Sequence, residues 1–151
     1  MSTTSTARPA VGRGIDPRGP RFAASLTSVV LALVLVTPTP LAVTLLALQT
    51  VVFGIGAVRG IQHTPYAWLF RTLVRPRLGA PHELEDPRPP RFAQAVGLGF
   101  ALVGLVGFAA GLTVLALVAT GLALAAALLN AVFGFCLGCE IYLLLQRATA
   151  R

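Results

Sequence analysis

Charge is what this chain has least of. Of 151 residues only 11% are charged, five are acidic, and there is no lysine at all. A water-soluble domain carries about a quarter charged residues. The deficit, with 56% hydrophobic residues and a mean hydropathy of +0.81, excludes an ordinary soluble fold and points to the bilayer as solvent. Cysteine is also scarce. Two of them in one local pair exclude a secreted disulfide framework, so they must be judged by position. The net charge of +7 comes from twelve arginines that flank the apolar runs. Anionic lipid headgroups, and not nucleic acid, are the partner such a pattern fits.

In chain order, residues 1–15 lack periodic apolar positions and read as a mobile cytoplasmic tail. A cleaved signal peptide is the competing reading, because arginines precede the run from Phe22 to Val36. A first helix should begin at Pro20 or Arg21 and stop before Thr37-Pro38-Thr39-Pro40, where two prolines suit a tight turn. A second should run from Leu41 to about Ile61. Thr64-Pro65 then offers an N-cap and a first-turn proline. The following segment, Tyr66 to Arg75, is too short to span. It sets Tyr66, Leu69, Phe70 and Leu73 on one face and Arg71 and Arg75 on another, the pattern of a short interfacial helix carrying the only tryptophan, Trp68.

Residues 76–90 form a Pro-rich loop. A third helix should run from about Arg91 to Ala110 or Gly111, and a fourth apolar stretch from Leu112 to Leu145. At helical rise the fourth would be about 50 Å long, more than the hydrocarbon core needs. It must tilt, protrude or spend its first turns in a loop.

Two matches suggest an internal repeat. Asp16-Pro17-Arg18-Gly19-Pro20-Arg21-Phe22-Ala23 recurs, with one mismatch, as Asp86-Pro87-Arg88-Pro89-Pro90-Arg91-Phe92-Ala93. Ala47-Leu48 with Val52-Phe53-Gly54 recurs as Ala127-Leu128 with Val132-Phe133-Gly134, displaced by ten positions more. The expectation is two tandem hairpins, about 16–78 and 86–147, in one transmembrane domain spanning 16–148, with ten extra residues near the second outer turn. The fold class is therefore all-α: an integral membrane four-helix bundle plus one short interfacial helix. Arginines lie on one side only, so the positive-inside rule puts both termini in the cytoplasm of a multi-pass cell-membrane protein. Arg18, Arg21, Arg71, Arg75, Arg88 and Arg91 are the expected lipid-headgroup contacts.

The chemistry, if any, belongs to Cys136-x-x-Cys139-Glu140. Placed by the second match, the pair lies near the C-terminal end of the fourth helix, where the dipole, Glu140 and apolar neighbours disfavour thiolate. Two readings stand side by side: a transient redox or sulfur-carrying pair, and two small packing residues beside Gly134-x-x-x-Gly138. In the first, the thiols would serve as acceptors from a soluble partner or a quinone. A soft-metal site would need further ligands, with His63 the nearest in level. Glu140, the only acid within an apolar segment, joins Cys136 and Cys139 as a candidate catalytic residue. Asn130 should donate a hydrogen bond between helices. No cofactor is expected, and the residues do not decide whether the chain is an enzyme.

Ile15-Asp16-Pro17-Arg18, Glu85-Asp86-Pro87-Arg88 with Arg91-Phe92, and Asn130-x-x-Phe133-Gly134-x-Cys136-x-Gly138-Cys139 resemble the actinobacterial membrane family described as domain of unknown function 4395. The resemblance covers about residues 14–148. It implies a small multi-helix membrane protein of unassigned activity, with a thioredoxin-like protein or a sulfurtransferase as partner. The function it leaves is a membrane thiol redox or sulfur-carrying component, against a non-catalytic scaffold that anchors a soluble partner through its basic face. A transporter fits less well, because midplane polar residues are scarce.

Overall fold

Four long helices carry the chain: α1 (Arg18–Val36), α2 (Thr39–Arg59), α5 (Arg88–Ala109) and α6 (Thr113–Phe133). Each is long and apolar enough to cross a membrane. The computed structural model describes residues 14–151, so most of the segment expected to be a mobile tail lies outside the described residues. Between α2 and α5 lie a short 3-10 turn (Ile61–His63), α3 (Pro65–Leu69), a π turn (Phe70–Val74) and α4 (Arg75–Leu78); α7 (Leu137–Thr149) follows α6. The chain is an all-α four-helix bundle with short helices at one end.

The four long helices form a ring in which α1 packs on α2 and α6, and α5 packs on α2 and α6. Leu31, Val34, Ala42, Leu46, Phe53, Ala101 and Ala123 make the core. Small residues let α5 come close to its neighbours. A Cβ on Gly104 would stand 2.9 Å from Leu46, and one on Gly107 would stand 2.9 Å from the Ala116 amide nitrogen. The outer surface is the reverse of a soluble protein's. Val36, Val114 and Phe133 are 77%, 76% and 75% exposed, amid many other bare Val and Leu side chains on these helices. Apolar surface this continuous is stable only against lipid. Four crossings thus support a multi-pass membrane protein.

The repeated Asp-Pro-Arg segment opens both α1 and α5, and the structure shows what its residues do. Asp16 Oδ1 accepts from the Arg18 amide at 3.0 Å, and Asp86 Oδ1 accepts from the Arg88 amide at 2.9 Å, so each carboxylate satisfies a helix-start donor. The prolines that follow lack an amide hydrogen and lose nothing in a first turn. Ile15 and Glu85, just ahead of the two segments, pair with each other as an antiparallel bridge, each amide 2.9 Å from the other's carbonyl. The Arg18 guanidinium also binds Asp16, Leu78 and Gly79, and its hydrogen bond to Asp16 holds that carboxyl below the ordinary carboxylate range.

Two expectations need correction here. The ten extra residues near the second outer turn are not there. α2 and α6 are both 21 residues long, and α5 exceeds α1 by only 22 to 19. The match that implied them sets Phe53-Gly54 inside α2 against Phe133-Gly134 at the end of α6, so those residues are not structurally equivalent. The short helix also runs past Arg75 to Leu78. It passes Pro76 by widening: Arg75 donates to the Phe70 carbonyl in a π turn just before the proline, whose ring excludes ordinary α geometry there.

Candidate thiol site

The fourth apolar stretch is not one helix. α6 ends at Phe133, and Gly134 takes a left-handed conformation (φ 68°) that a residue with a Cβ rarely adopts. Its amide returns to the Asn130 carbonyl and that of Phe135 to the Leu129 carbonyl, which closes the helix end. A new helix, α7, then starts with Cys136 as its N-cap. The expectation that Cys136 and Cys139 lie toward a helix C-terminus is therefore wrong, and with it the electrostatic argument. They occupy the first turn of a helix, where the dipole and unpaired amides favour negative charge.

Cys136 and Cys139 are joined by a disulfide, with Cα atoms 5.2 Å apart, and both are half-buried. The Cys139 amide donates to Cys136 Sγ at 3.4 Å, the same bond a Ser or Thr cap would accept. Glu140 follows in the same turn, exposed, with its amide bonded to the Cys136 carbonyl. Among the described residues no group of three or more His, Cys, Asp and Glu could hold a metal.

Two elements fix the turn. Arg21, from α1, donates to the carbonyls of Ala131 and Val132 at 3.3 and 3.0 Å, and its guanidinium lies 3.8 Å from a Cβ built on Gly134. A cation thus sits at the end of α6, beside the loop that delivers Cys136. On the other side, Gly138 packs on α5 so closely that a Cβ would stand 2.7 Å from Ala93 Cα and Cβ. Gly134 and Gly138 do not share a helix, as their spacing suggested. One ends α6, and the other seats α7. Phe92 packs on Tyr142 at 5.6 Å between ring centroids and completes that contact.

Similar contacts occur at the end of α2, at the same end of the bundle. Arg91 donates to the carbonyls of Ala57 and Val58, both at 2.7 Å, at the end of α2. Gly60 (φ 101°) follows α2, and Thr64 caps α3 by accepting from the Ala67 amide at 3.2 Å. Phe22 packs on Phe70 at 5.8 Å. Thr64 thus accepts the amide three residues on, as Cys136 does.

Of the residues expected to meet headgroups, Arg71 donates to the Gln62 carbonyl and Arg88 makes a loose pair with Asp86 at 3.6 Å. Arg21 and Arg91 are chiefly helix-end clamps, yet remain exposed. Nothing in the sequence signals these clamps. Nor did it reveal the polar bridge inside the bundle, in which the Tyr66 hydroxyl donates to Gln49 Oε1 at 2.7 Å and Gln49 Nε2 donates to Thr27 at 3.3 Å. Burial pushes the Tyr66 phenol up, so it stays a neutral donor.

A family model described as Domain of unknown function (DUF4395) matches residues 15–147. No curated protein and no solved structure matches the chain.

Proposed function

The chain belongs to the Domain of unknown function (DUF4395) family, and we propose that it is a membrane-embedded thiol–disulfide component whose working pair is Cys136 and Cys139. The observation that supports this most is the position of Cys136 as N-cap of α7, with its sulfur accepting the Cys139 amide. A packing cysteine needs no such place. A redox-active one gains from it, since amides and dipole stabilise Cys136 as the thiolate that leaves at the end of an exchange. A partner thiolate attacks Cys136 Sγ and Cys139 leaves; the partner's second thiol then displaces Cys136. The partner is a soluble dithiol protein of thioredoxin-like or sulfurtransferase kind. In the exchange its two thiols become a disulfide while Cys136–Cys139 opens to the dithiol, so electrons and protons balance. Glu140, exposed beside the pair, is placed to relay a proton.

The two halves also read as one hairpin used twice, about a pseudo-twofold axis along the membrane normal. The reciprocal Ile15–Glu85 bridge, the paired arginine clamps and the paired aromatic contacts support it. On this reading the first half keeps a plain Thr64 cap and the second puts the disulfide in its place.

Two measurements test the proposal. Cys139→Ala, expressed in cells, should trap a partner as a mixed disulfide on Cys136, whereas the double variant Cys136→Ala/Cys139→Ala should trap nothing. A pair that stays fully reduced under oxidant, with no trapped partner, would leave the scaffold reading. Reporters fused to the C-terminus should be active only in the cytoplasm and a tag at Thr39 should be external, because ten of the twelve arginines lie from Arg18 onward on one side of the bundle. A cytoplasmic Thr39 would refute that orientation.

A further inference from the structure

Beside the disulfide lies a cavity of about 280 Å³, lined by Cys136 and by residues of α1, α2, α5, α6 and α7, Thr27, Phe53, Gly97, Ala123 and Gly138 among them.

Apart from Cys136 and from Thr27, which already accepts from Gln49, the lining is polar only at the amides of Gln94 and Asn130. Unlike Gln49, neither makes a side-chain hydrogen bond among the described residues. The interhelical bond expected of Asn130 is thus not formed, and its amide faces the cavity. The cavity also opens sideways. Leu122 and Ile141 line it and are 54% and 39% exposed on the surface that faces lipid.

We propose that this cavity binds a membrane quinone, which reoxidises the Cys136/Cys139 dithiol. The chemistry of the site selects that occupant. A flat ring suits apolar walls, and carbonyl oxygens suit two unused amide donors. An isoprenoid tail suits an opening onto hydrocarbon. An acyl chain would fill the walls but leave both amides unpaired, and a soluble disulfide could not enter from lipid. In the step itself the two thiols lose two electrons and two protons and close the S–S bond. The quinone takes both electrons and both protons onto its carbonyl oxygens and leaves as quinol. The inference rests on the thiol–disulfide function proposed above and names its electron acceptor.

The test uses the full chain in lipid nanodiscs, reduced and freed of reductant, with decylubiquinone as the probe. Maleimide mass tagging counts thiols, and absorbance follows quinol formation. Wild-type protein should lose two thiols per quinol formed. Ala123→Phe, which fills the cavity, should slow that at least tenfold, and Asn130→Leu, which removes one amide with little added bulk, should slow it severalfold. Diamide, a small soluble oxidant that does not need the cavity, should close the disulfide equally fast in all three proteins, which shows that the pair is intact in each. Equal quinone rates in wild type and both variants would overturn the site, as would closure by diamide with none by quinone. Failure of diamide to close the pair in wild type would overturn the thiol function as well.

Discussion

Reduced protein should react with iodoacetamide at Cys136 about tenfold faster than at Cys139 near pH 6.5, as read by peptide mass after quenched labelling. A free thiol has a pKa of roughly 8.5 and is about 1% ionised at that pH, whereas thiols at helix N-termini ionise at roughly 3.5–7.5. The gain in thiolate over that range runs from about ninefold to about a hundredfold, but a more acidic thiolate is also a weaker nucleophile, which returns part of it. Cys136 caps α7 and accepts an amide; Cys139, a turn inside, has no comparable donor described for its sulfur. The outcome expected from sequence was the opposite, slow labelling near neutrality and faster labelling in alkali. Equal and slow labelling of both cysteines at pH 6.5, rising only in alkali, would mean that the helix start does not act on the sulfur.

Replacing Gly138 by Val should cost about 2 kcal/mol or more and separate α7 from α5. The new Cβ would meet Ala93 Cα and Cβ at 2.7 Å, and the backbone of α5 cannot move aside as a flexible side chain can. Thermal unfolding in detergent should shift clearly downward, and the Phe92–Tyr142 contact should be lost with it. Gly54→Ala supplies the control, since a Cβ there meets nothing within 4 Å and alanine favours a helix interior. Equal melting temperatures for the Gly138 variant and wild type would show that α7 is not seated through this contact.

These two predictions depend on the same event, the break between α6 and α7. A signal for it was present. Gly134 follows a long apolar run, where glycine commonly ends a helix. Yet Leu-Gly-Cys-Glu-Ile-Tyr-Leu-Leu-Leu continues as apolar sequence, so periodicity alone cannot tell a tilted helix from two helices. What ends α6 is a left-handed glycine and an arginine from α1 on its last carbonyls. The second of these is invisible without the fold, because it joins residues more than a hundred positions apart.

By itself the sequence determined the number of crossings, the approximate ends of the first three and the clustering of the arginines outside the apolar runs. The reason is that a hydrocarbon layer of fixed thickness sets helix length and excludes charge, whatever the neighbouring helices do. Only the tertiary structure decided where the cysteines stand. α7 starts anew after α6 and docks on α5 through Gly138 and Tyr142. That docking moves Cys136 and Cys139 from the end of one helix to the beginning of another and reverses the electric field at the sulfur. The same holds for the cavity beside them. Its walls come from residues far apart in the chain, Thr27, Gly97, Ala123 and Gly138 among them, on helices that only packing brings together.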